Sequence, residues 1–366
     1  MKRPNMKTTI WDELSDADHP YQNREYVEIL PQPSQQFVLH ADGPSGIASF
    51  HTTYTNLDLL VPKNSIASNL IARIRKVYHG FFHSKLLECG PALVSGKSLL
   101  TKQGLSAAEE YRVTADAIEK ALALQKEVKA DLVLFRDFTE DAPIFQTHGF
   151  RKVQFIDLAV LEIKWDTFTA YTSALKSRYR SMVKKHREKL DSLRVEYTKS
   201  FHQHTPEMFE LWQRTNARAE EYSRDDRIDE PYFNRLAKLE VSTANLFFKG
   251  DTLIAFNVML EGASDLYPLW LGIDYLERDN HALLFNIYYK TIEAGIKGKK
   301  AKVYFGETTY HLKMRLGCTL IPQHGYIYSR IPFAARFLEK LSKFLIPEQK
   351  IKSKNVWKVE GKDEFT

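Results

Sequence analysis

Apolar residues recur along the 366-residue chain with two spacings, one typical of strands and one typical of helices. In the first half, strand patterns cover 37–40, 46–54, 57–61, 85–94, 130–136 and 155–163. Helical patterns cover 66–78 and 105–128, and a further short helix ends at Gly149. Ser106, with Glu109 three residues later, predicts a capping box at the start of the long helix. Strands and helices therefore alternate, as in a mixed α/β layer.

The second half repeats this order after a long basic helix predicted over 165–190. Its clearest signal is a hairpin around the turn Gly250-Asp251, followed by a third strand at 265–273. A helix at 280–296, a buried strand at 301–305, a short helix at 308–316 and a last strand at 318–328 come next. We expect this last strand to complete the sheet of the second half.

The chain length fits two domains of ordinary size. The patterns divide it into a polar lead-in (1–35), a first domain (36–164), a second domain that starts with the basic helix (165–330) and a basic amphipathic tail (331–366). The predicted fold class is α/β (α+β), with two tandem domains. Each domain is expected to hold a mixed, mostly antiparallel sheet flanked by helices.

Composition narrows the class of protein. Hydrophobic residues make up 43% and charged residues 27%, which excludes a disordered scaffold or a fibrous protein. Two isolated cysteines, and two histidines (His202 and His204) without a neighbouring ligand, give no reason to expect a metal site. The amino terminus shows no apolar signal-peptide core, so we expect a cytoplasmic location, with peripheral membrane contact as an alternative.

The net charge of +6 is small, but part of it is concentrated in one segment. Residues 176–189 contain seven Lys or Arg and one acid, Glu188. Three interpretations stay open: a solvated helix face, a site for an anionic ligand such as a nucleotide, phosphate or tRNA, or contact with a membrane surface.

The order of hairpin, third strand, helix, strand, glycine-terminated helix and last strand resembles the core of GNAT acyltransferases. The segment 305–317 is similar to that family's Gly-x-x-x-Tyr-x-x-Lys-x-x-x-Gly pattern, here Gly306, Tyr310, Lys313 and Gly317. In the first half, 145–153 resembles the helix-Gly-Phe-strand junction of GNAT domains. Two such domains, joined by a basic helix at 173–180, resemble the FemAB-like branch. The resemblance covers about 37–329.

The resemblance implies an acyl donor held between two central strands that splay apart, with its pyrophosphate at the start of the following helix. It therefore implies acetyl-CoA or another acyl-CoA as co-substrate and no metal. The cofactor-binding positions would be Arg278, Asn280, His281 and Asn286.

The glycine loop usual at that helix start is missing, since no glycine occurs between Gly272 and Gly295. FemAB-like relatives include enzymes that take aminoacyl groups from charged tRNA, and the missing loop fits that alternative. Those enzymes often carry a coiled-coil arm, but this sequence shows no sustained heptad repeat that would predict one.

Two candidate catalytic residues follow the buried strand 301–305. Glu307 is placed to accept a proton from an attacking amine, and its alternative role is to flank the start of the next helix. Tyr310 is a candidate donor to the leaving group, and Lys313, three residues later, a candidate to bind a carboxylate or phosphate. A core position is the alternative for this pair.

Further candidates would bind substrate. Tyr267, Trp270 and Asp274 lie along one predicted strand, where aromatic residues form either core or a substrate wall. Arg178 and Arg180 are the preferred anion ligands of the basic segment.

The leading functional interpretation is direct transfer of an acyl group from an acyl-CoA-type donor to the amine of a small molecule or peptide. Aminoacyl transfer from charged tRNA is the alternative within the family. A non-catalytic GNAT-fold protein that binds a ligand or a membrane is the alternative from another class, and the basic segment and the tail motivate it.

Overall fold

A computed structural model describes residues 8–30, 36–56, 66–80, 83–90, 96, 99–218, 228–307, 309–345 and 355–358. Its helices are α1 (Thr8–Leu14), α2 (Arg24–Ile29), α3 (Ile66–Val77), α4 (Ala107–Val128), α5 (Pro143–Thr147), α6 (Phe168–Ala174), α7 (Ser177–Arg187), α8 (Thr205–Asn216), α9 (Glu230–Leu236), α10 (Leu283–Lys297), α11 (Tyr310–Leu316) and α12 (Pro332–Leu345). Its strands are β1 (Gln36–Ala41), β2 (Gly46–Asn56), β3 (His83–Cys89), β4 (Leu99–Thr101), β5 (Leu132–Phe138), β6 (Arg151–Gln154), β7 (Leu158–Glu162), β8 (Arg194–Thr198), β9 (Ser242–Lys249), β10 (Thr252–Glu261), β11 (Asp265–Ile273), β12 (Lys302–Gly306), β13 (Thr319–Ile321) and β14 (His324–Ser329). The strand predicted at 57–61 lies outside the described residues.

The first sheet has the order β1-β2-β3-β5-β14-β6, with β4 beside β2. Its neighbouring strands are antiparallel except β3 and β5, which run parallel from Leu86 beside Leu132 to Cys89 beside Phe135. Side chains of α4 and α5 cover one face of this sheet, and Leu338 of α12 packs on the other face. The capping box predicted at the start of α4 is confirmed, because Ser106 and Glu109 exchange hydrogen bonds.

The second sheet has the order β13-β7-β12-β11-β10-β9-β8. Its parallel pair, β11 and β12, is aligned at only two places, Asp265 beside Lys302 and Leu266 beside Val303. Beyond them the two strands are no longer paired and diverge, as the GNAT resemblance implies. Helices α7 and α10 pack on one face of this sheet, and α8, α9 and part of the N-terminal segment pack on the other.

The two halves exchange their last strands. The predicted completion of the second sheet by 318–328 is wrong for β14, which lies between β5 and β6 of the first sheet. In return β7, predicted as part of the first half, lies between β12 and β13 of the second sheet. Each sheet thus needs a strand from the other half to complete its backbone hydrogen bonds.

The exchange follows the same path in both halves. A central strand leads to a short helix, a left-handed glycine (Gly149 at φ 85° and Gly317 at φ 91°), an edge strand and then the exchanged strand. Positive φ at these two positions favours glycine and ends each helix. The predicted helix-glycine-strand junctions are therefore confirmed in both halves.

The lead-in is more ordered than its polar composition predicts. Residues 8–30, called here the N-terminal strap, hold two helices and bury Trp11, Tyr21 and Tyr26. The strap bridges both halves: Trp11 packs in a cluster with Ile47 of the first half, and Asp18 accepts hydrogen bonds from Ser264 of the second. Burying these aromatic side chains stabilises the strap, and this gain in free energy outweighs the preference of the flanking polar residues for water.

Two predicted helix boundaries are wrong. The basic helix predicted as continuous over 165–190 is two helices, α6 and α7, separated at Leu175, whose backbone is extended (φ −76°, ψ 146°). The helix after β11 begins at Leu283, three residues later than predicted, after a series of turns. The break at Leu175 is held by tertiary contacts, because Leu175 forms a β-bridge with Trp357.

The described parts of the C-terminal segment, 331–345 and 355–358, pack against the protein. Helix α12 lies on the first sheet, and further along the chain Val356 is fully buried in the core of the second domain. Its carbonyl accepts a hydrogen bond from the amide of Lys176. None of the helices in the described part of the chain is long and apolar enough to cross a bilayer.

Candidate active site between the two sheets

The central strands of the two sheets end in matching bulges. In β5, Arg136 and Asp137 together face one residue, Gly325, of the exchanged strand, and Asp137 has φ 68°. In β12, the register shifts between Tyr304 and Gly306, and Gly306 has φ 77°. Bulges change the direction of the following side chains, and they are frequent next to active sites. The left-handed backbone of Asp137 is uncommon for a residue with a Cβ atom.

A charged cluster lies at the bulge of the first sheet. The Nε of Arg136 lies 2.8 Å from a carboxylate oxygen of Glu88 and 3.5 Å from one of Asp137. Arg136 and Asp137 are buried, with side chains 3% and 4% exposed, and Glu88 also contacts His51. The backbone N–H of Gly96 donates to Asp137 at 2.7 Å. Burial raises the pKa of Asp137 to about 6, although Arg136 and Gly96 act in the opposite direction.

Glu307 of the second half faces this cluster. It follows the bulge at Gly306, is half-buried, and is close enough to Arg136 and Asp137 to interact with both charges. Its negative charge helps to raise the pKa of Asp137. The fold therefore brings together an arginine and three carboxylates (Glu88, Asp137 and Glu307) from both halves at the junction of the sheets. Such an arrangement can bind a cationic amine and accept a proton.

Lys313 and Tyr310 of α11 bind backbone carbonyls close to this junction. Lys313 is 2% exposed, and its ammonium donates to the carbonyl of Gly306 at 3.1 Å. Burial lowers the pKa of Lys313 to about 8, with Glu307 acting in the opposite direction. The hydroxyl of Tyr310 donates to the carbonyl of Asp157. The predicted role of Tyr310 as donor to a leaving group would require this hydrogen bond to break.

An aromatic wall lies beside the charged cluster. Tyr267 stacks on Tyr304 of β12, with ring centroids 4.8 Å apart, and its hydroxyl lies 2.9 Å from Nδ1 of His19. Tyr21 of the strap packs edge-on against Tyr267 at 5.2 Å. Burial raises the pKa of Tyr21, and the charge of Asp137 raises it further. Tyr21 thus lies between the first sheet's carboxylates and the second sheet's aromatic residues.

The other two predicted substrate residues, Trp270 in β11 and Asp274 directly after it, make their described contacts outside the cluster. Trp270 donates its indole N–H to the hydroxyl of Tyr232 at 3.1 Å and packs against Trp212 in the core. Asp274 accepts a hydrogen bond from the amide of Leu276 and so stabilises the turn after the strand. These contacts give both residues a structural role.

The side chains at the predicted pyrophosphate position bond to other parts of the protein. At the start of α10, the side-chain amide of Asn286 donates to the carbonyls of His186 and His281, both at 2.8 Å. His281 contacts the carbonyl of Lys189 at 3.0 Å. The end of the basic segment therefore lies beside the N-terminal turn of α10. The other two predicted cofactor ligands, Arg278 and Asn280, are exposed and bond to Asp279 and to Leu276 and Glu277.

The basic segment forms an outward face next to this helix start. Arg178 is exposed and lies over the ring of Tyr179, whereas Arg180 is half-buried and donates to the carbonyl of Leu175. Lys184 and Lys185 are exposed. Burial lowers the pKa of His186, and the nearby positive charges of Lys189, Lys185 and Arg315 lower it further. Of the two predicted anion ligands, Arg178 is the accessible one.

Sequence reasoning missed the first-half members of the cluster. Glu88 lies within the otherwise mostly apolar strand β3, and Arg136 and Asp137 lie within β5, after its apolar run. A charged residue in a buried strand is costly unless it is paired, so this interruption was a usable signal. Tyr21 had no comparable signal, because a tyrosine among polar residues is unremarkable. Among the described residues, no group of three or more His, Cys, Asp or Glu side chains could hold a metal ion.

Two mixed sheets, each with one parallel strand pair and a glycine-terminated helix, define a tandem GNAT-fold protein. The model of the FemAB-like family, described as peptidoglycan biosynthesis/recognition, matches residues 70–365, and the chain belongs to this family. The resemblance seen in the sequence is thereby confirmed.

Solved structures share this fold at low sequence identity. The crystal structure of FemX superposes with a TM-score of 0.58 at 12% identity, over 93% of this chain and 100% of FemX. The C-terminal domain of a putative lysylphosphatidylglycerol synthetase from Agrobacterium fabrum gives 0.53 at 10% identity, over 92% and 95% of the two chains. A conserved protein of unknown function from Bacteroides thetaiotaomicron gives 0.53 at 8%, over 88% and 96%. No curated protein sequence matches significantly.

Proposed function

We propose that this protein transfers an aminoacyl group from a charged tRNA to an amine of a peptidoglycan precursor. The observation that carries the proposal is the meeting of Asp137 and Glu307, from the two bulged strands, around Arg136. Membership of the FemAB-like family and the similarity to FemX and to a lysylphosphatidylglycerol synthetase domain support aminoacyl transfer over the acyl-CoA interpretation.

The start of α10 supports a donor other than acyl-CoA. A pyrophosphate binds at a helix N-terminus through free backbone N–H groups and the helix dipole. Here the side chains of Asn286 and His281, at the helix start, bond to the carbonyls of His186 and Lys189. Carbonyl oxygens repel phosphate oxygens, so their presence beside this helix start disfavours a CoA pyrophosphate. The adjacent basic face, with Lys184, Lys185 and Arg178, suits the longer phosphate backbone of an RNA.

The chemistry needs a proton acceptor and close positioning. The acceptor amine enters as an ammonium, which the carboxylates of Glu307 and Asp137 attract. Loss of one proton to Glu307 frees the nitrogen lone pair to attack the carbonyl carbon of the aminoacyl ester. A C–N bond forms, the C–O bond to the terminal ribose breaks, and the second proton lost by the nitrogen passes to the ribose oxygen, which leaves as a hydroxyl. Holding both substrates in the cleft supplies much of the rate enhancement.

Each residue has a distinct place in this scheme. Glu307 is the proton acceptor, because it is half-buried, whereas the side chains of Glu88 and Asp137 are only 13% and 4% exposed and lie against Arg136. Arg136 keeps the buried carboxylates ionised and oriented. Lys313 fixes the carbonyl of Gly306 and with it the direction in which Glu307 points. Tyr267 and Tyr304 form the apolar wall along which the acceptor lies.

The test uses the purified full chain with tRNA charged with a radiolabelled amino acid mixture and a peptidoglycan precursor peptide that carries a side-chain amine. We expect label to appear in the peptide with the wild type and with Glu240→Gln, an exposed carboxylate outside the cluster, but not with Glu307→Gln. Transfer from acetyl-CoA in the absence of tRNA, or full activity of Glu307→Gln, would contradict the proposal.

A further inference from the structure

Among the described side chains of α12, apolar residues occur on two sides of the helix, one facing the protein and one with large exposed areas. Ala335 and Leu338, 5% and 8% exposed, face the protein, and Leu338 packs on the first sheet. On the outer side, Phe333 is 77% and Phe337 49% exposed, and Ile331, just before the helix, is 62% exposed. Residues 333 and 337 are one helical turn apart, so their rings lie next to each other.

Cations surround these exposed side chains. Arg330, Arg336 and Lys340 are all exposed, and they lie within one to three residues of the apolar group. The one acid of the segment 330–340, Glu339, is half-buried. The outer face of α12 therefore combines large apolar side chains with a net positive charge.

We propose that the outer face of α12 docks this protein on an anionic lipid bilayer, with the helix lying in the plane of the membrane surface. Exposed aromatic and aliphatic residues flanked by Lys and Arg are the features of helices that bind at the lipid headgroup boundary. The cations are complementary to anionic headgroups, and the rings enter the acyl boundary between them.

The composition of the face favours a bilayer over other occupants. Nucleic acid would pair with the cations and stack on the aromatic rings, but it offers nothing to the aliphatic Ile331. A second copy of the same face would bring Arg330, Arg336 and Lys340 near their own equivalents, and like charges oppose association. A bilayer satisfies both the apolar and the charged side chains at once.

Docking on a membrane is a property separate from aminoacyl transfer. Vesicle binding is measured without tRNA or acceptor, so its outcome does not depend on catalysis. The experiment is flotation of the full chain with vesicles of phosphatidylcholine alone or mixed with phosphatidylglycerol. Deleting α12 is unsuitable, since Leu338 helps to cover Leu86, Leu134 and Ile327 of the first sheet. Substitutions are therefore confined to exposed side chains.

Two variants test the two contributions. Arg336→Gln with Lys340→Gln should weaken binding to the anionic vesicles about thirtyfold at low salt, since each surface cation contributes roughly a fivefold change. Phe333→Ser with Phe337→Ser should weaken it on the order of tenfold or more, and this loss should persist at high salt. Neither variant should change the thermal midpoint appreciably.

The controls carry the same substitutions at other exposed sites. Lys238→Gln with Lys297→Gln removes the same charge, and Leu276→Ser removes an apolar residue that is 86% exposed. Both should float like the wild type. The proposal would be overturned if the wild type did not bind anionic vesicles. It would also be overturned if both α12 variants bound as tightly as the wild type, or if the control variants lost as much binding as the α12 variants. A dimer in sedimentation that Phe333→Ser with Phe337→Ser converts to monomer, while vesicle binding is absent, would overturn it as well.

Discussion

Asp137 and Gly306 occupy corresponding positions in the two sheets, each as the left-handed residue of a bulge near the end of a central strand. In the second half the position is a glycine, for which positive φ is unstrained. In the first half it is an aspartate whose carboxylate accepts a hydrogen bond from Gly96 and contacts Arg136. The first domain thus retains a polar group at the junction, and the candidate site is shared by both halves.

Glu307→Gln should lower kcat for aminoacyl transfer by about a hundredfold or more, the usual contribution of a positioned general base. Because Glu307 is partly exposed and the substitution preserves its shape, the thermal midpoint should change little. Single-turnover kinetics and thermal unfolding of the same preparation give both values. A loss of activity that accompanies a large fall in the midpoint would indicate a structural role instead.

Titration of Asp137 should lower kcat/KM at acidic pH. Its pKa is raised to about 6, so the cluster gains negative charge as the pH rises through that value. We expect kcat/KM of the wild type to rise through about pH 6, and we expect Asp137→Asn to flatten this rise. A pH profile of both proteins measures it. An unchanged rise in Asp137→Asn would assign the titration to another group.

Lys313 should make stability depend on pH in the alkaline range. Its pKa is lowered from 10.5 to about 8 in the folded protein, so between these values the unfolded chain binds more protons. Stability must therefore rise with pH across this window. Lys313→Met lacks the titrating group, so its free energy of unfolding should fall relative to that of the wild type from pH 8 to 10. Denaturant unfolding at several pH values measures the difference, and parallel curves would contradict it.

The exchanged strand β14 should couple the unfolding of the two halves. Tyr326 is fully buried, stacks on Phe145 at 4.6 Å and accepts a hydrogen bond from the amide of Ala142 at 2.7 Å. Tyr326→Ala should cost about 3–5 kcal/mol, and Tyr326→Phe less, because it keeps the ring. Circular dichroism and tryptophan fluorescence should show one coincident transition in each variant. Two separate transitions would show that the halves unfold independently.

The basic face of α7 should contribute to tRNA binding without sequence preference. Lys184→Gln with Lys185→Gln removes two exposed cations. We expect weaker binding to all tRNA species and a smaller dependence of affinity on salt, because fewer counterions are released. Filter binding at several salt concentrations, with Lys238→Gln and Lys297→Gln as the control, tests this. Unchanged salt dependence would place the tRNA elsewhere on the surface.

The sequence by itself determined much of the local structure. The hairpin β9–β10, the capping box at Ser106 and the helix ends at Gly149 and Gly317 follow from side-chain periodicity and from residues with special backbone preferences. These features depend on neighbours close in sequence. The repeated order of elements then led to the correct fold class and family.

Other features were decided only by the tertiary structure. A short apolar run such as β7 or β14 can pair with either sheet, so the pattern alone could not reveal the strand exchange. The cluster of Glu88, Arg136 and Glu307 joins residues far apart in sequence, whose contact exists only once both sheets have formed. Likewise, elements from distant parts of the chain bury Tyr21 and Lys313. The resulting desolvation raises the pKa of Tyr21 and lowers that of Lys313, and the order of residues along the chain does not specify it.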